Sequence, residues 1–233
     1  MKRALAPAAL ALALLCVSAA SATADPVGTV TGQTAAKQLR KGLPYTWTGT
    51  TAKAYLTFMK IKPAASMAGY SRDLFPHWRD ADTWGWPEAP NDACDTRNAA
   101  LYRYGRNVQM SSTCTKLTGT WIDPYGSPSQ IFDSTSDMDG DHMVPLAAAW
   151  RKGAGAWDVT KRTQFANDPL NVVIAWDRMN SSKGDSDPSQ WKPQNKAAWC
   201  LYGVRWIAVS KKYGLPLNSQ AEKDALKTML ATC

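Results

Sequence analysis

The stretch from Asp137 to Asp185, DMDGDHMVPLAAAWRKGAGAWDVTKRTQFANDPLNVVIAWDRMNSSKGD, constrains this chain more than any other. It opens with carboxylates at alternate positions (Asp137, Asp139, Asp141), followed by His142 and Pro145. If Asp139 to Met143 ends a strand, neighbouring side chains point to opposite sides, so Asp141 and His142 diverge. Asn171 to Trp176, NVVIAW, is apolar and β-branched and reads as a second strand. Asp177 to Lys183 then forms a short helix stopped by Gly184, with Asn180 and Lys183 on one face. The order strand, loop, strand, helix lets Asp141 and Asn180 meet across the hairpin. Both offer oxygen, which suits a hard cation such as Mg2+, with Mn2+ as the alternative, better than zinc. His142 beside that cation is placed to take a proton from water, its ordinary pKa lying near neutrality. Lys183 is placed to hold a phosphate oxygen as a point charge. The combination points to a one-metal phosphodiesterase centre. A calcium loop starting at Asp137 would need Gly in sixth place and Glu in twelfth, where this chain has His142 and Ala148.

The start of the chain carries an export pattern. Lys2 and Arg3 precede an apolar run from Leu5 to Val17, and Ala22-Thr23-Ala24 offers a small-residue cleavage site. Cleavage near Ala24 leaves 209 of the 233 residues and lowers the formal charge from +8 to +6. The expected product is secreted and monomeric, with no membrane anchor. That moderate positive charge is compatible with a polyanionic partner. Four cysteines then remain, and an even number in an exported chain reads as two disulfides. Of the three pairings, Cys94–Cys114 and Cys200–Cys233 enclose the most local segments. Neither CxxC nor HxxxH spacing supports a zinc site instead.

Residues 25–49 read as an N-terminal extension and 50–233 as a single domain with its core at 137–185. Thr34 is placed to cap a helix over Ala35–Lys41, and residues 50–60 suggest another, running into a short strand at Met59–Ile61. A helix over Asp95–Tyr104 precedes extended pieces near Val108–Met110, Thr120–Ile122 and Ile131–Phe132, as in a small antiparallel sheet. Trp199, Tyr202, Trp206, Val209 and Tyr213 repeat at helical spacing up to Gly214. Ser219 and Glu222 form a capping box for a last helix.

These residues fit the pattern of the HNH, or ββα-metal, nucleases. From Asp95 onward in particular, the chain resembles a secreted HNH family related to the C-terminal domain of the GmrSD restriction endonucleases. The phrases that carry the likeness are GYSRDLF, CDTRNAAL, TWIDPYG, DGDHMVPLAAAWRKGA, FANDPLNVV and NSSKGDSDPSQWKP, with the Trp/Tyr-rich helix after them. The resemblance implies an α+β fold with a ββα-metal core, surrounding helices and a small antiparallel sheet. It makes Asp141 the first metal ligand, Asn180 the last, His142 the general base and Lys183 a phosphate contact. Asn171 becomes the middle asparagine, which ties the hairpin together and orients His142. The implied activity is hydrolysis of DNA, with RNA as an alternative substrate, leaving a 5′-phosphate and a 3′-hydroxyl. One departure is Gly140, where the family has an apolar β-former; glycine predicts a looser strand end.

Asp139 is read either as a neighbour of the metal ligands or as a strand cap. Arg97, Arg162 and Arg72 are candidates for phosphate contact, and Arg151 and Lys152 lie in the loop after Pro145. His77 is read as structural. The 11 tryptophans support a rival reading, a non-catalytic carbohydrate-binding or adhesion module with an aromatic platform. Trp84 and Trp86 are its candidates for exposure, whereas Trp150, Trp157, Trp176, Trp199 and Trp206 fall at core-like positions.

Overall fold

Local caps set the N-terminal half. The structure, a computed structural model, describes residues 30–87 and 93–233, so the export segment lies outside the described residues. The Thr31 hydroxyl, rather than that of Thr34, accepts the amide that opens α1 (Gly32–Ala36), which tightens into a 3-10 turn over Lys37–Arg40. Thr48 does the same for α2 (Gly49–Phe58) and Asp95 for α3 (Thr96–Tyr104). The strand expected at Met59–Ile61 is reduced to one parallel bridge, Ile61 to Leu217. Strands β1 (Arg106–Met110), β2 (Leu117–Ile122) and β3 (Ile131–Phe132) form an antiparallel sheet in sequence order.

A second, separate pair of strands follows. β4 (Met138–His142) and β5 (Val172–Trp176) run antiparallel, with Asp141 opposite Val173 and His142 opposite Val172. Between them lie two helices that the sequence pattern hides. In α4 (Leu146–Arg151) the first four residues are all buried, leaving no polar alternation to read. In α5 (Val159–Asn167) the buried face is Thr163, Phe165, Ala166 and Asn167, only half apolar. After β5 the chain turns directly into α6 (Asp177–Lys183), closed by Gly184 at φ +51°. Helices α7 (Trp199–Tyr213) and α8 (Gln220–Leu230) complete an α+β fold.

One apolar core joins these layers, drawing on α2, α3, both strand pairs and α7. Arg205 crosses it, wholly buried, donating to the carbonyls of Leu39, Lys41, Pro169, Leu170 and Val172. Its rigid fork of donors ties the N-terminal 3-10 turn to the irregular backbone that leads into β5. The two disulfides are Cys94–Cys114 and Cys200–Cys233, the second tying the end of α8 to the start of α7. Among the described residues no helix is long and apolar enough to cross a membrane.

Candidate active site

The register of α6 against the hairpin decides which side chains meet. β5 ends at Trp176, opposite Met138, and α6 turns back along the same hairpin. A helical spacing of three puts Asn180 and Lys183 on one face and a strand spacing of two puts Asp139 and Asp141 on one face; Asn180 faces Asp139 while Lys183 faces Asp141. Asn180 Nδ2 donates to Asp139 Oδ2 at 3.0 Å. Lys183 Nζ donates to Asp141 Oδ1 at 2.7 Å and to the His142 carbonyl at 2.8 Å. The other oxygen of Asp141 accepts from the Tyr125 hydroxyl at 2.8 Å. Burial and the adjacent carboxylate push the Tyr125 phenol far above its usual range, so it stays a donor.

Two expectations change with this register. Asn180 meets Asp139, not Asp141, although both carboxylates face the helix. Lys183, expected at a phosphate, is fully buried and spent on Asp141. Asp139 and Asn180 remain half-buried, and Asp139 Oδ1 and Asn180 Oδ1 have no partner among the described residues.

His142 points to the other side of β4. Its Nε2 lies 2.8 Å from the Ala166 carbonyl oxygen. A carbonyl only accepts, so Nε2 carries the hydrogen and Nδ1 keeps its lone pair. Nδ1 has no partner among the described residues, in a residue only 4% exposed. Burial lowers the imidazole pKa to about 3, with the Ala166 carbonyl opposing and Arg72 and His77 assisting. The ring is therefore neutral at pH 7.

Asn171 holds the two segments around His142. Its Oδ1 accepts from the Val144 amide, and its Nδ2 donates to the carbonyls of Phe165 and Val144. Asn167, completely buried, pins the opposite wall through the Arg79 amide, the Thr96 hydroxyl and the Pro76 carbonyl. That wall carries Trp78, whose indole stacks on His142 at 5.5 Å between ring centres. A Cβ on Gly140 would lie 2.4 Å from Trp78 Cη2. Gly140 thus provides the space for the indole, not looseness of the strand.

The shifted imidazole predicts a pH dependence of stability. The folded pKa, about 3, lies below the ordinary 6.5 of an unfolded histidine, so across that window the unfolded chain binds the extra proton. Stability should fall as pH drops from 6.5 towards 3, with His142 contributing up to about 1.4 kcal/mol per pH unit. Denaturant titrations between pH 4.5 and 7 check this: His142→Gln should show a shallower slope than the wild type.

The remaining candidates are engaged elsewhere. Arg97 donates to the Met138 carbonyl, and Arg162 to those of Leu74 and Trp157, all backbone supports. Arg151 pairs with Asp185, and Lys152 with the buried Glu222. Arg72 is exposed. Of the two tryptophans expected at the surface, Trp84 is half-buried and Trp86 is fully buried with its Nε1 on the Asn167 carbonyl. Sequence reading passed over Tyr125, Asn167, Ala166 and Trp78. The phrases TWIDPYG and FANDPLNVV contain three of them, but nothing local gives their contacts.

The family described as GmrSD restriction endonucleases, C-terminal domain, matches residues 95–228, which include β4, β5 and α6. A protein of Arthroderma benhamiae described as an uncharacterized secreted protein is 40% identical over 185 residues, covering 78% of this chain and 85% of its own length. No solved structure matches the chain. With more than half of its residues inside the matched region, the chain belongs to the family of the GmrSD restriction endonuclease C-terminal domain, which places it among nuclease-related proteins.

Proposed function

We propose that this protein is a secreted, monomeric, metal-dependent endonuclease that hydrolyses DNA phosphodiester bonds with little sequence preference. On this reading β4, β5 and α6 are the ββα-metal core of an HNH nuclease. The observation that carries the proposal is the fixed tautomer of His142. With Nε2–H held by the Ala166 carbonyl, the free lone pair sits on Nδ1, as a general base requires. Family membership supplies the substrate class. Secretion rests on the export pattern, the two disulfides and the relative's description.

A divalent cation fits the donor set. The face towards α6 offers carboxylate and amide oxygens, which suit Mg2+ and exclude soft-metal chemistry. Asn180 and Asp139 have oxygens free to hold it; Asp141 lies behind them, its two oxygens taken by Lys183 and Tyr125. When bound, the cation would supply charge stabilisation at the phosphoryl and departing oxygens. His142 Nδ1 takes a proton from water, and the oxygen so activated attacks phosphorus in line with the 3′ oxygen. Asn171 and Trp78 keep the ring in place, and the Ala166 carbonyl stabilises the imidazolium that forms. Affinity comes from phosphate contacts and falls with salt.

The mature protein should nick supercoiled plasmid in Mg2+ and leave 5′-phosphate and 3′-hydroxyl ends, which a DNA ligase rejoins. Ends carrying a 3′-phosphate would contradict water attack directed by His142. A parallel RNA substrate reads the breadth of the activity.

A further inference from the structure

The chain contains two histidines, 65 positions apart in sequence, and the fold brings their rings to 6.1 Å at an interplanar angle of 87°. His77 is arranged as the counterpart of His142. Its Nδ1 lies 2.7 Å from the Phe75 carbonyl oxygen, so Nδ1 carries the hydrogen and Nε2 is left with the lone pair. Nε2 has no partner among the described residues, and the ring is half-buried rather than sealed. Each imidazole is thus anchored to backbone through one nitrogen and without a partner at the other among the described residues.

The mounting of His77 is also unusual for a packing residue. The next residue, Trp78, has φ +56°, a left-handed conformation that a bulky side chain avoids. Asn167 holds the segment there from both sides, through the Pro76 carbonyl and the Arg79 amide, and Asn167 directly follows the Ala166 that fixes His142. One short piece of α5 therefore positions both rings. Strain held by a buried network is a feature of functional sites. The charged groups around His77 are Arg72 and Asp73 on one side of it in sequence and Arg79 on the other, with His142 facing it from β4. Arg72 is exposed and has no side-chain partner among the described residues, which suits it to draw in a phosphate.

We propose that His77 is a second catalytic residue, the general acid that protonates the departing 3′ oxygen. This rests on the nuclease reading above. Water gives its proton to His142 Nδ1 as its oxygen bonds to phosphorus; the bond from phosphorus to the 3′ oxygen breaks, and that oxygen takes the proton from His77 Nε2. Burial, with Arg72 and Arg79, holds the His77 pKa below its ordinary value, so the ring takes this proton from solvent once the phosphodiester anion is bound beside it. The two imidazoles finish in opposite protonation states and reset by exchange with water.

A substrate whose leaving group needs no proton provides the test. An oligonucleotide with one bridging 3′-sulfur departs as a thiolate, whereas the ordinary 3′-oxygen substrate departs as an alkoxide unless protonated. His77→Asn keeps a donor for the Phe75 carbonyl, and His77→Gln places an amide near the Nε2 position; neither transfers a proton. Both variants should cut the oxygen substrate about 10^2-fold more slowly, yet cut the sulfur substrate at close to the wild-type rate. Equal losses on both substrates would make His77 a packing residue, and wild-type rates on both would make it irrelevant; either overturns the proposal. Failure of the wild type to cut either substrate in Mg2+ would instead overturn the nuclease reading on which it rests.

Discussion

His142→Gln should lower the rate of plasmid cleavage by about 10^2–10^4-fold, the usual worth of a positioned general base, while the protein remains folded. Glutamine retains an amide donor for the Ala166 carbonyl, so the buried acceptor that Nε2 satisfies need not be orphaned. What it lacks is a lone pair basic enough to accept a proton from water. His142→Ala should be equally inactive but less stable, because it leaves that carbonyl unpaired at a cost of about 1–3 kcal/mol. Single-turnover cleavage rates and circular dichroism on the same preparations separate the two effects. A glutamine variant with near wild-type rates would mean that another group activates the water.

Lys183→Met should destabilise the fold by about 3–5 kcal/mol, the cost of removing one partner from a buried ion pair. The ammonium is completely buried, 2.7 Å from a carboxylate that is itself only 3% exposed. Its removal leaves Asp141 with Tyr125 as its remaining donor and also frees the His142 carbonyl. Adding Asp141→Leu should restore part of the loss, since an apolar pair replaces a broken ionic one. Urea denaturation of the single and double variants measures both numbers. If Lys183 instead reached a substrate phosphate, the single variant would weaken DNA binding and leave the urea midpoint unchanged.

The contrast between these residues shows where sequence reasoning reaches and where it stops. The second strand and the helix after it were legible because their signals are local, the apolar run NVVIAW and the glycine after Lys183, whereas α4 and α5 occupy what reads as a loop. The partner of each carboxylate was not legible. That depends on the register of β4 against β5, which sets Met138 opposite Trp176 and so brings Asn180 to Asp139 and Lys183 to Asp141. Gly140 misleads for the same reason. Its lack of a side chain answers to Trp78, 62 residues earlier, which no local rule connects to it. Trp86 sits among glycine and proline and reads as exposed, but its indole is drawn inward by the Asn167 carbonyl. The helices capped by Ser219 and ended by Gly214 were readable because capping chemistry lies within one turn of sequence. Tyr125 could be found only as part of a turn; its hydroxyl becomes meaningful once the fold lays it against Asp141.

The most direct trial of the account is plasmid cleavage followed through removal and return of the divalent cation. The account predicts that nicking by the mature protein proceeds in Mg2+, stops when EDTA is added in excess and resumes when Mg2+ is restored beyond the chelator. Cleavage that continues unchanged in EDTA would contradict it, because charge stabilisation by a cation held at Asp139 and Asn180 would then play no part in the reaction.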